Sequence, residues 1–522
     1  MGEPQGGLCF LHDLVDRLAV FAADRAVIAD STGALTGGAL HVAVTQAEHA
    51  LRAAGLGAGD RIMLVAENSV ALARLVFAAS RIGAWIVLVN ARLTEPEIRR
   101  IAAHAGPRAL AFTSAASAAA AAHAARFAAA PLGSVAGVEI ATLAEVAAEP
   151  DESDPARRVA ALIYTSGTTG EPKGVMLSHA SLLFVARSSG ALRRLSPGDR
   201  VYGIMPVTHV FGLASVFLGS LAHGARLDLV ARFDAADAAR AFAEDGISIF
   251  QGVPMMYARF LELAERQGAP LAAPRLRYIS AGGAPLDLGL KRRVEAMWGM
   301  ALHNGYGMTE MAPTVSMTRM EAPAADDSVG PALPAVGIEI RSTETGNTLP
   351  PGEVGEICLR GPGAMLGYYR APEETARAMS SDGWYRSGDL GRLDDVGNLY
   401  VVGRLKELII RSGFNVYPPE VEGVLMLHPD VALAAVVGRK VVDRNGANEE
   451  VIAFIEAKAG RMPDIASVAS FAAERLAPYK RPARYVVQPA LPVTSAGKIR
   501  KSKLHHAAQS LGDLGDADTV GR

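Results

Sequence analysis

The sequence predicts an α/β protein with a large N-terminal part and a small α+β C-terminal domain. From residue 199 onward, apolar β-branched runs alternate with helix-like runs, which is typical of parallel sheets covered by helices. After Gly330, shorter strand-like runs separated by Gly, Pro and Asp indicate a small β subdomain. New strand- and helix-like runs begin beyond residue 407 and indicate a further domain. A chain of 522 residues is too long for one hydrophobic core, so at least two domains are expected.

The individual elements follow from hydrophobic patterning and from residues that start or stop helices. In the alternating part, the predicted strands are 201–205, 226–230, 247–253 and 276–280, and helices begin at Asp234, Pro254 and Pro285. In the β subdomain, the predicted strands are 336–340, 355–360 and 398–402. In the C-terminal domain, helices begin at Pro418 and Asp464, and the strands are 431–438, 451–457 and 485–487. The alanine-rich residues 114–130 predict a peripheral helix or a loose connector, and residues 513–522 a frayed end.

Composition narrows the class of protein. The 52 basic and 54 acidic residues nearly cancel, so the chain carries no basic footprint for nucleic acid. Two cysteines, Cys9 and Cys358, allow one disulfide at most, and no segment resembles a secretory leader. The apolar run 79–89 is interrupted by Arg81 and is too short to span a bilayer. We therefore expect a cytoplasmic protein; peripheral membrane contact and a homodimer stay open.

The most informative segment is residues 164–175, which read Tyr-Thr-Ser-Gly-Thr-Thr-Gly-Glu-Pro-Lys-Gly-Val. Its glycines free the backbone to surround an anion, its hydroxyls can donate to phosphate oxygens, and Lys173 adds a positive charge. The apolar run 159–165 predicts a buried strand leading into this loop. A plain surface turn would explain neither that strand nor the Lys-Gly pair. A Walker-type P-loop is excluded, because its lysine directly follows a glycine and Lys173 follows Pro172.

Five more segments follow in the chain. They are Ser280-Ala-Gly-Gly-Ala-Pro285, Asn304-Gly-Tyr-Gly-Met-Thr-Glu310, Tyr385-Arg-Ser-Gly-Asp389, Gly403-Arg-Leu-Lys-Glu407 running on to Ser412-Gly-Phe-Asn-Val-Tyr-Pro418, and Pro492 to Arg500. In this order the six segments resemble the adenylate-forming superfamily of acyl-CoA synthetases, firefly-type luciferases and peptide-synthetase adenylation domains. The chain is most similar to the branch of acyl-CoA synthetases, fatty-acid–CoA ligases and 4-coumarate–CoA ligases.

The resemblance implies a domain organisation. An N-terminal AMP-binding domain would comprise residues 1–403, a hinge 404–406, and a mobile C-terminal domain 407–522. Lys406 stands at the hinge position, where many members carry aspartate and others lysine. Ser412, Gly413 and Phe414 match the segment that lines the pantetheine tunnel for CoA after the C-terminal domain rotates.

The resemblance also implies the nucleotide site. The residues that would hold ATP or AMP are Thr165, Ser166, Gly167, Thr168, Thr169, Gly170, Lys173, Gly283, Ala284, Pro285, Asn304, Gly305, Tyr306, Gly307, Thr309, Asp389, Arg404 and Lys498. Those that would act in catalysis are Lys498, Glu310, Thr309 and His209.

Several of these residues have roles that their chemistry supports. Glu310, with Thr165, would bind Mg²⁺ beside the triphosphate. Tyr306 offers a ring for adenine, and Asp389 with Arg404 suits the ribose. Taken singly, Tyr306 could be a core tyrosine and Asp389 a turn residue. Lys498 would bridge the carboxylate and the α-phosphate in the first step only.

The segment 206–220 resembles the acyl-pocket helix of the family, and it contains no acidic residue, lysine or arginine. An amino-acid substrate would leave its ammonium unpaired there, so we expect an acid that is uncharged apart from its carboxylate. The predicted lining residues are His209, Val210, Phe211, Met255, Gly282 and His303. Val210 and Phe211 could equally be core residues, and His303 could contact a polar tail.

The leading functional prediction is an ATP-dependent acyl-CoA synthetase, an acid–thiol ligase. It would convert a medium- or long-chain fatty acid or an aryl acid to acyl-AMP and then to acyl-CoA. ATP, Mg²⁺ and CoA are the implied cofactor and co-substrates. The alternatives are an acyl-AMP ligase that loads a separate carrier protein and a non-catalytic acyl or nucleotide sensor. Luciferase-like oxygenation is possible by resemblance alone and is not favoured by any residue.

Overall fold

The computed structural model describes residues 7–143, 146–150, 152–166, 172–411, 414–443, 446–458, 460–493 and 499–511. The chain forms two compact units. The first comprises residues 1–286, 290–337 and 359–385; the second comprises 287–289, 338–358 and 386–522. This division does not test the hinge predicted at 404–406. Within the described residues, no helix is long and apolar enough to cross a bilayer. Cys9 and Cys358 are both free thiols.

The first unit contains two sheets that each have eight strands within the described residues. One sheet has the spatial order Thr314–Met317, Leu302–Gly307, Tyr278–Ala281, Ile249–Gly252, Arg200–Gly203, Arg226–Leu229, Ala26–Asp30 and Gly33–Thr36. The other has the order Gly367–Tyr368, Pro172–Ser178, Val159–Ser166, Trp85–Asn90, Arg61–Ala66, Ala109–Phe112, Glu139–Thr142 and Ala130–Pro131. In the first of these sheets the six inner strands are parallel and the two edge strands antiparallel. In the second, the four central strands from Val159–Ser166 to Ala109–Phe112 are parallel, and the two strands on each side of them are antiparallel to their neighbours.

Helices cover these sheets and begin at residues that the sequence marks. They are Asp13–Phe21, Gly37–Ala53, Val70–Arg81, Glu95–Ala105, Ala118–Arg126, His179–Leu192, Gly219–Ala222, Ala235–Glu244, Pro254–Gln267, Leu288–Trp298 and Pro372–Ala378, with a π-helix at Phe211–Leu218 and 3₁₀ turns at Pro155–Arg157 and Thr309–Met311. Thr36, Ser69, Ser117, Ser178 and Asp234 each accept a hydrogen bond from the first turn of the helix that follows.

The second unit contains the smaller sheets. They have the orders Gly337–Arg341, Gly355–Arg360, Tyr385–Leu393 and Leu399–Arg404; Ile409–Arg411 and Phe414–Val416; and Val431–Asp443, Gly446–Ala457 and Arg484–Gln488. Its helices are Pro418–Met426, Ile465–Ala473 and Lys501–Gln509, with 3₁₀ turns at Leu405–Glu407 and Pro478–Lys480. The predicted α/β class, with a large N-terminal part and a smaller C-terminal one, is confirmed.

The structure changes the bounds of three predicted elements and decides between the two alternatives for a fourth. The helix expected from Pro285 begins at Leu288, because Pro285 lies in the preceding turn. The strands predicted at 431–438 and 451–457 extend to Asp443 and back to Gly446. Their charged ends read as a loop in sequence, yet Arg439 is buried and pairs with Glu450 at 2.9 Å across the hairpin. Residues 114–130 form the packed helix Ala118–Arg126, so the loose connector is wrong. The predicted frayed end at 513–522 lies outside the described residues.

Candidate active site

Four neighbouring strands of the first sheet bring the predicted acyl and adenine segments to one edge. Arg200–Gly203, Ile249–Gly252, Tyr278–Ala281 and Leu302–Gly307 are parallel, so their carboxyl ends meet. The segments that leave these ends carry the residues predicted to line the site, which are His209, Val210, Phe211, Met255, Gly282, Gly283, Ala284, Pro285 and Tyr306. Ligands of open α/β sheets commonly bind at such an edge.

Phe211 and Gly282, both predicted for the acyl pocket, lie close together. A Cβ atom added at Gly282 would lie 3.4 Å from Phe211 Cε1 and 3.9 Å from the carbonyl oxygen of Gly305. The N–H of Gly282 donates to the carbonyl of Gly252 at 3.1 Å, which fixes this turn against the neighbouring strand. The absence of a side chain at residue 282 therefore leaves room beside the Phe211 ring. Met255 lies half-buried in the first turn of the helix Pro254–Gln267.

His209 is held at the entrance to the π-helix Phe211–Leu218. Its Nδ1 accepts a hydrogen bond from the N–H of Phe211 at 3.2 Å, and its own N–H donates to the carbonyl of Pro206 at 2.9 Å. Val210, the next residue, is only 1% exposed. π-helical turns are frequent at functional sites because they redirect side chains within a helix.

Two residues of the strand Leu302–Gly307 serve its packing. His303 is 6% exposed, its ring stacks on Tyr278 with centroids 4.8 Å apart, and its Nδ1 lies 3.1 Å from Thr318 Oγ1. Burial, with a smaller contribution from Lys291, lowers the pKa of His303 to about 4, so the ring is neutral near pH 7. The amide of Asn304 donates to the carbonyls of Asp327 and Ser328.

The same strand becomes exposed towards its carboxyl end. Gly305 and Tyr306 are half-buried and Gly307 is exposed. A Cβ at Gly307 would overlap the carbonyl oxygen of Pro313, so only glycine fits there. The strand is followed by the 3₁₀ turn Thr309–Met311, which presents the half-buried Glu310 beside a buried Thr309.

The phosphate-loop segment joins two antiparallel strands of the second sheet. The strand Val159–Ser166, predicted as 159–165, is confirmed. Thr165 lies directly opposite Lys173 on the strand Pro172–Ser178. Gly167, Thr168, Thr169 and Gly170 lie outside the described residues.

Lys173 and Glu310 are linked through Tyr368, a residue that the sequence analysis did not select. Lys173 forms an ion pair with Glu374, and its Nζ lies 5.3 Å from the centre of the Tyr368 ring. The Tyr368 hydroxyl donates to Glu310 Oε1 at 3.0 Å. We call these four residues, Lys173, Glu374, Tyr368 and Glu310, the Tyr368 cluster. A tyrosine pair in a glycine-containing segment, Gly367-Tyr368-Tyr369, was the only available signal in the sequence.

In the second unit, Asp389 and Arg404 face each other across antiparallel strands. They are directly paired in register, and Arg404 Nε lies 3.3 Å from Asp389 Oδ1. The turn before Asp389 is fixed by Glu356, whose carboxylate accepts two hydrogen bonds from Arg386, at 2.7 and 2.9 Å, and one from the N–H of Gly388. This arrangement holds a carboxylate beside a half-exposed guanidinium.

The segment that follows Arg404 is tied to the last helix of the second unit. Lys406 lies in the 3₁₀ turn Leu405–Glu407. Lys501 Nζ lies 3.0 Å from Glu407 and 2.7 Å from Glu422. Burial opposes the charge of Lys501, but the two carboxylates outweigh it and raise the pKa of this lysine.

Of the four residues predicted for the CoA tunnel or as the adenylation lysine, Phe414 lies within the described part of the chain. Phe414 is 55% exposed and stacks on Tyr479 with centroids 4.7 Å apart. Ser412, Gly413 and Lys498 lie outside the described residues.

Comparison with known proteins identifies the family. Residues 15–369 match the model of the AMP-binding enzyme family, and residues 420–498 match that of the AMP-binding enzyme C-terminal domain. This chain belongs to the AMP-binding enzyme family. The recognition made from the six sequence segments is thereby confirmed.

The chain is similar to several proteins named as CoA ligases. The chain is 34% identical over 474 residues to a feruloyl-CoA synthase of Amycolatopsis sp, covering 90% of this chain and 93% of that one. It is 36% identical over 353 residues to a long-chain-fatty-acid–CoA ligase of Bacillus subtilis (strain 168), covering 67% of this chain and 62% of that one. The fold matches that of ATP-bound MatB from Rhodopseudomonas palustris, with a TM-score of 0.82, 28% identity, and coverage of 96% and 99%. The chain is thus an adenylate-forming enzyme of the acid–thiol ligase class, as predicted.

Proposed function

We propose that this protein is an ATP-dependent acyl-CoA synthetase for an apolar carboxylic acid, either a medium- or long-chain fatty acid or an aryl acid. The observation that carries the proposal lies in the segment 305–310. The Gly305 carbonyl borders the space between Gly282 and the Phe211 ring, and five residues later Glu310 joins the Tyr368 cluster. A single strand and turn therefore connect the predicted acyl pocket with the predicted triphosphate site.

In the first step, a carboxylate oxygen of the acid attacks the α-phosphorus of ATP. A new P–O bond forms, the bond from the α-phosphorus to the bridging oxygen breaks, and pyrophosphate leaves. Lys173, Thr165 and the loop 166–170 are proposed to hold the β- and γ-phosphates. Lys498 is proposed to lie between the carboxylate and the α-phosphate, where negative charge accumulates.

The residues present fit a magnesium ion. Glu310 provides a carboxylate and Thr165 a hydroxyl, and Mg²⁺ prefers oxygen ligands of this kind. The Glu310 carboxylate accepts its hydrogen bond from Tyr368 at Oε1. Bound Mg²⁺ would neutralise charge on the triphosphate. Thr165 and Glu310, both within the described part of the chain, are not joined by a side-chain hydrogen bond, so their joint role as ligands stays a proposal.

The remaining nucleotide contacts are proposed from the resemblance of the sequence segments. Tyr306 would stack on adenine, beside Gly283, Ala284 and Pro285. Asp389 would accept hydrogen bonds from the ribose hydroxyls, with Arg404 beside it.

In the second step, the thiol of CoA attacks the acyl carbon of the adenylate. The C–S bond forms, the bond from the acyl carbon to the phosphate oxygen breaks, the thiol proton passes to solvent, and AMP leaves. Phe414, with Ser412 and Gly413, is proposed to border the pantetheine arm. Rotation about the hinge at Lys406 would separate the two steps.

The test is a panel of carboxylic acids scored by CoA-dependent AMP formation. It should include aliphatic acids from short to long, together with benzoate and cinnamate types. We expect apolar acids to give AMP and acyl-CoA. If acids released pyrophosphate but only a carrier protein accepted the acyl group, the protein would be a carrier-loading ligase. If no acid released pyrophosphate, the enzymatic proposal would be wrong. A cytoplasmic location, a homodimer and membrane contact stay predictions.

A further inference from the structure

Tyr368 lies between the two residues to which the proposed function assigns the triphosphate and its metal. The short strand Gly367–Tyr368 pairs antiparallel with Pro172–Ser178, and Tyr368 lies opposite Val175. This pairing places the tyrosine ring beside Lys173, with Nζ 5.3 Å from the ring centre. The hydroxyl at the other end of the ring donates to Glu310 Oε1 at 3.0 Å. One side chain therefore contacts both charged groups.

The hydroxyl of Tyr368 has a defined direction. An ionised carboxylate only accepts hydrogen bonds, so Tyr368 must be the donor. Behind it, the hydroxyl of the buried Tyr385 lies 3.3 Å away and restricts the ring further. The Glu310 carboxylate is thus held at Oε1 by a hydroxyl whose own position is fixed.

Lys173 and Glu310 would neutralise each other if they met. Both lie in the described part of the chain, and no ion pair joins them; Lys173 pairs with Glu374 and rests over the Tyr368 ring. A cation over an aromatic face is stabilised by the ring quadrupole. The Tyr368 ring and Glu374 together keep the ammonium away from Glu310, so that the glutamate retains its charge for a cation.

We propose that Tyr368 is a positioning residue, whose hydroxyl orients the Glu310 carboxylate for the Mg²⁺ of MgATP and whose ring keeps Lys173 apart from that carboxylate. This inference rests on the proposed function, because it assigns Glu310 to the metal and Lys173 to the phosphates. A tyrosine that only fills space would act through its ring alone. The two roles are separated by a substitution that removes the hydroxyl and keeps the ring.

The neighbouring Tyr369 supplies a matched control. Its hydroxyl donates to Glu149 Oε1 at 2.5 Å, and its ring packs against Trp85 and His104 on the other side of the strand. Tyr369→Phe therefore removes a tyrosine–glutamate hydrogen bond of the same kind from the same short segment, but one that does not involve Glu310. A general effect on folding should appear in both variants.

The experiment measures ATP binding by calorimetry as the Mg²⁺ concentration rises, with no carboxylic acid present. Loss of a side chain that orients a metal ligand typically weakens metal affinity 10- to 100-fold. We expect Tyr368→Phe to need about tenfold more Mg²⁺ for half-maximal ATP binding, and Tyr369→Phe to match the wild type. Both should unfold at similar temperatures. An unchanged Mg²⁺ titration in Tyr368→Phe, or an equal change in Tyr369→Phe, would overturn the proposal.

A double-mutant cycle with Glu310→Gln gives a second criterion. If Tyr368 acts through Glu310, the pair Tyr368→Phe and Glu310→Gln should need no more Mg²⁺ than Glu310→Gln alone. Additive effects would show that Tyr368 acts elsewhere and would refute its positioning role. A wild-type protein that binds MgATP but activates no acid would contradict the proposed function, while the binding cycle would still decide the role of Tyr368.

Discussion

The carboxylate of Asp389 and the guanidinium of Arg404 lie 3.3 Å apart on directly paired residues of two antiparallel strands. Asp389 is largely buried, whereas the Arg404 side chain is 51% exposed. The backbone thus fixes the carboxylate, and the exposed arginine contributes little to stability by itself. A fixed acceptor of this kind suits the adjacent hydroxyls of a ribose.

Asp389→Asn should raise the KM for ATP about tenfold, because hydrogen bonds to a charged acceptor contribute roughly 1.5–3 kcal/mol. Steady-state kinetics with ATP as the varied substrate measure this. Asp394→Asn removes a carboxylate from the turn of the same hairpin, where Asp394 accepts from Val396 and Asn398, and should leave the KM for ATP unchanged. Equal KM values in the wild type and Asp389→Asn would exclude the ribose role.

Lys498→Ala should abolish adenylation while leaving thioester formation from supplied acyl-AMP largely intact. Only the first step places negative charge between the carboxylate and the α-phosphate, where an ammonium stabilises the transition state. The two half-reactions are assayed separately, by pyrophosphate release and by acyl-CoA formation. Lys503→Ala, at an exposed lysine of the next helix, is the control. Equal loss in both half-reactions would contradict the assigned role.

Gly282→Ala and Gly282→Leu should both change the order of preference among acids, and Gly282→Leu should have the larger effect. The added Cβ meets the Phe211 ring at ordinary van der Waals distance, so the alanine variant should fold, and the leucine fills more of the remaining space. Loss of a few apolar contacts typically shifts the discrimination between two substrates by about 1–3 kcal/mol. Here the shift should disfavour the longer or wider acids. The measurement is kcat/KM for each acid, with the KM for ATP as control. A uniform loss for all acids would place the pocket elsewhere.

The stability of the protein should fall as the pH is lowered from about 6.5 to about 4, in part because of His303. Burial lowers the pKa of His303 to about 4 in the folded protein. The unfolded state then binds more protons over this range, so the stabilisation is present above pH 6.5 and is lost as the pH falls. The contribution is of order 3 kcal/mol. The free energy of unfolding of His303→Gln, measured with urea across this range, should depend less on pH than that of the wild type. An identical pH dependence in the two proteins would refute the contribution of His303.

Lys501→Met should destabilise the second unit by about 3–5 kcal/mol, because it leaves Glu407 and Glu422 without their shared cation. Hydrogen exchange of the strand Gly446–Ala457 should report the loss at neutral pH. The pKa of Glu407 is lowered chiefly by Lys501, against the effect of burial, so this stabilisation disappears as the pH falls and Glu407 becomes protonated. Lys503→Met should have no such effect, and equal exchange in both variants would contradict the ion-pair role.

The sequence predicted the elements whose signals are local. Apolar runs and cap residues such as Asp234 and Asp464 placed the strands and helices of the alternating part and of the C-terminal domain within a few residues. The acyl and adenine segments followed from the same logic, because each leaves the carboxyl end of a predicted parallel strand. The closeness of Phe211 and Gly282 is therefore consistent with the prediction, made from sequence order and resemblance, that both residues line the acyl pocket.

Contacts between distant polar residues were not predictable in the same way. Tyr368 and Glu310 are 58 residues apart, and Glu374 reaches Lys173 from a helix far along the chain. No periodicity encodes such pairings, since they depend on how strands are ordered in a sheet. The full length of the two strands that carry the buried Arg439–Glu450 pair was not predicted for a related reason. In a sequence, charged residues near the end of a hairpin cannot be distinguished from those of a solvated loop.

The alanine-rich helix Ala118–Arg126 shows that a repetitive composition can hide strict spatial demands. Ala120 and Ala124 are fully buried against the strands below, whereas Ala121 is half-buried and Ala118 is exposed. A larger side chain at the first pair would push the helix off the sheet, but the second pair can accept longer residues that extend to solvent. We therefore expect variation along this segment to be confined to one stripe of the helix, so that two identical letters in the sequence differ completely in their freedom to change.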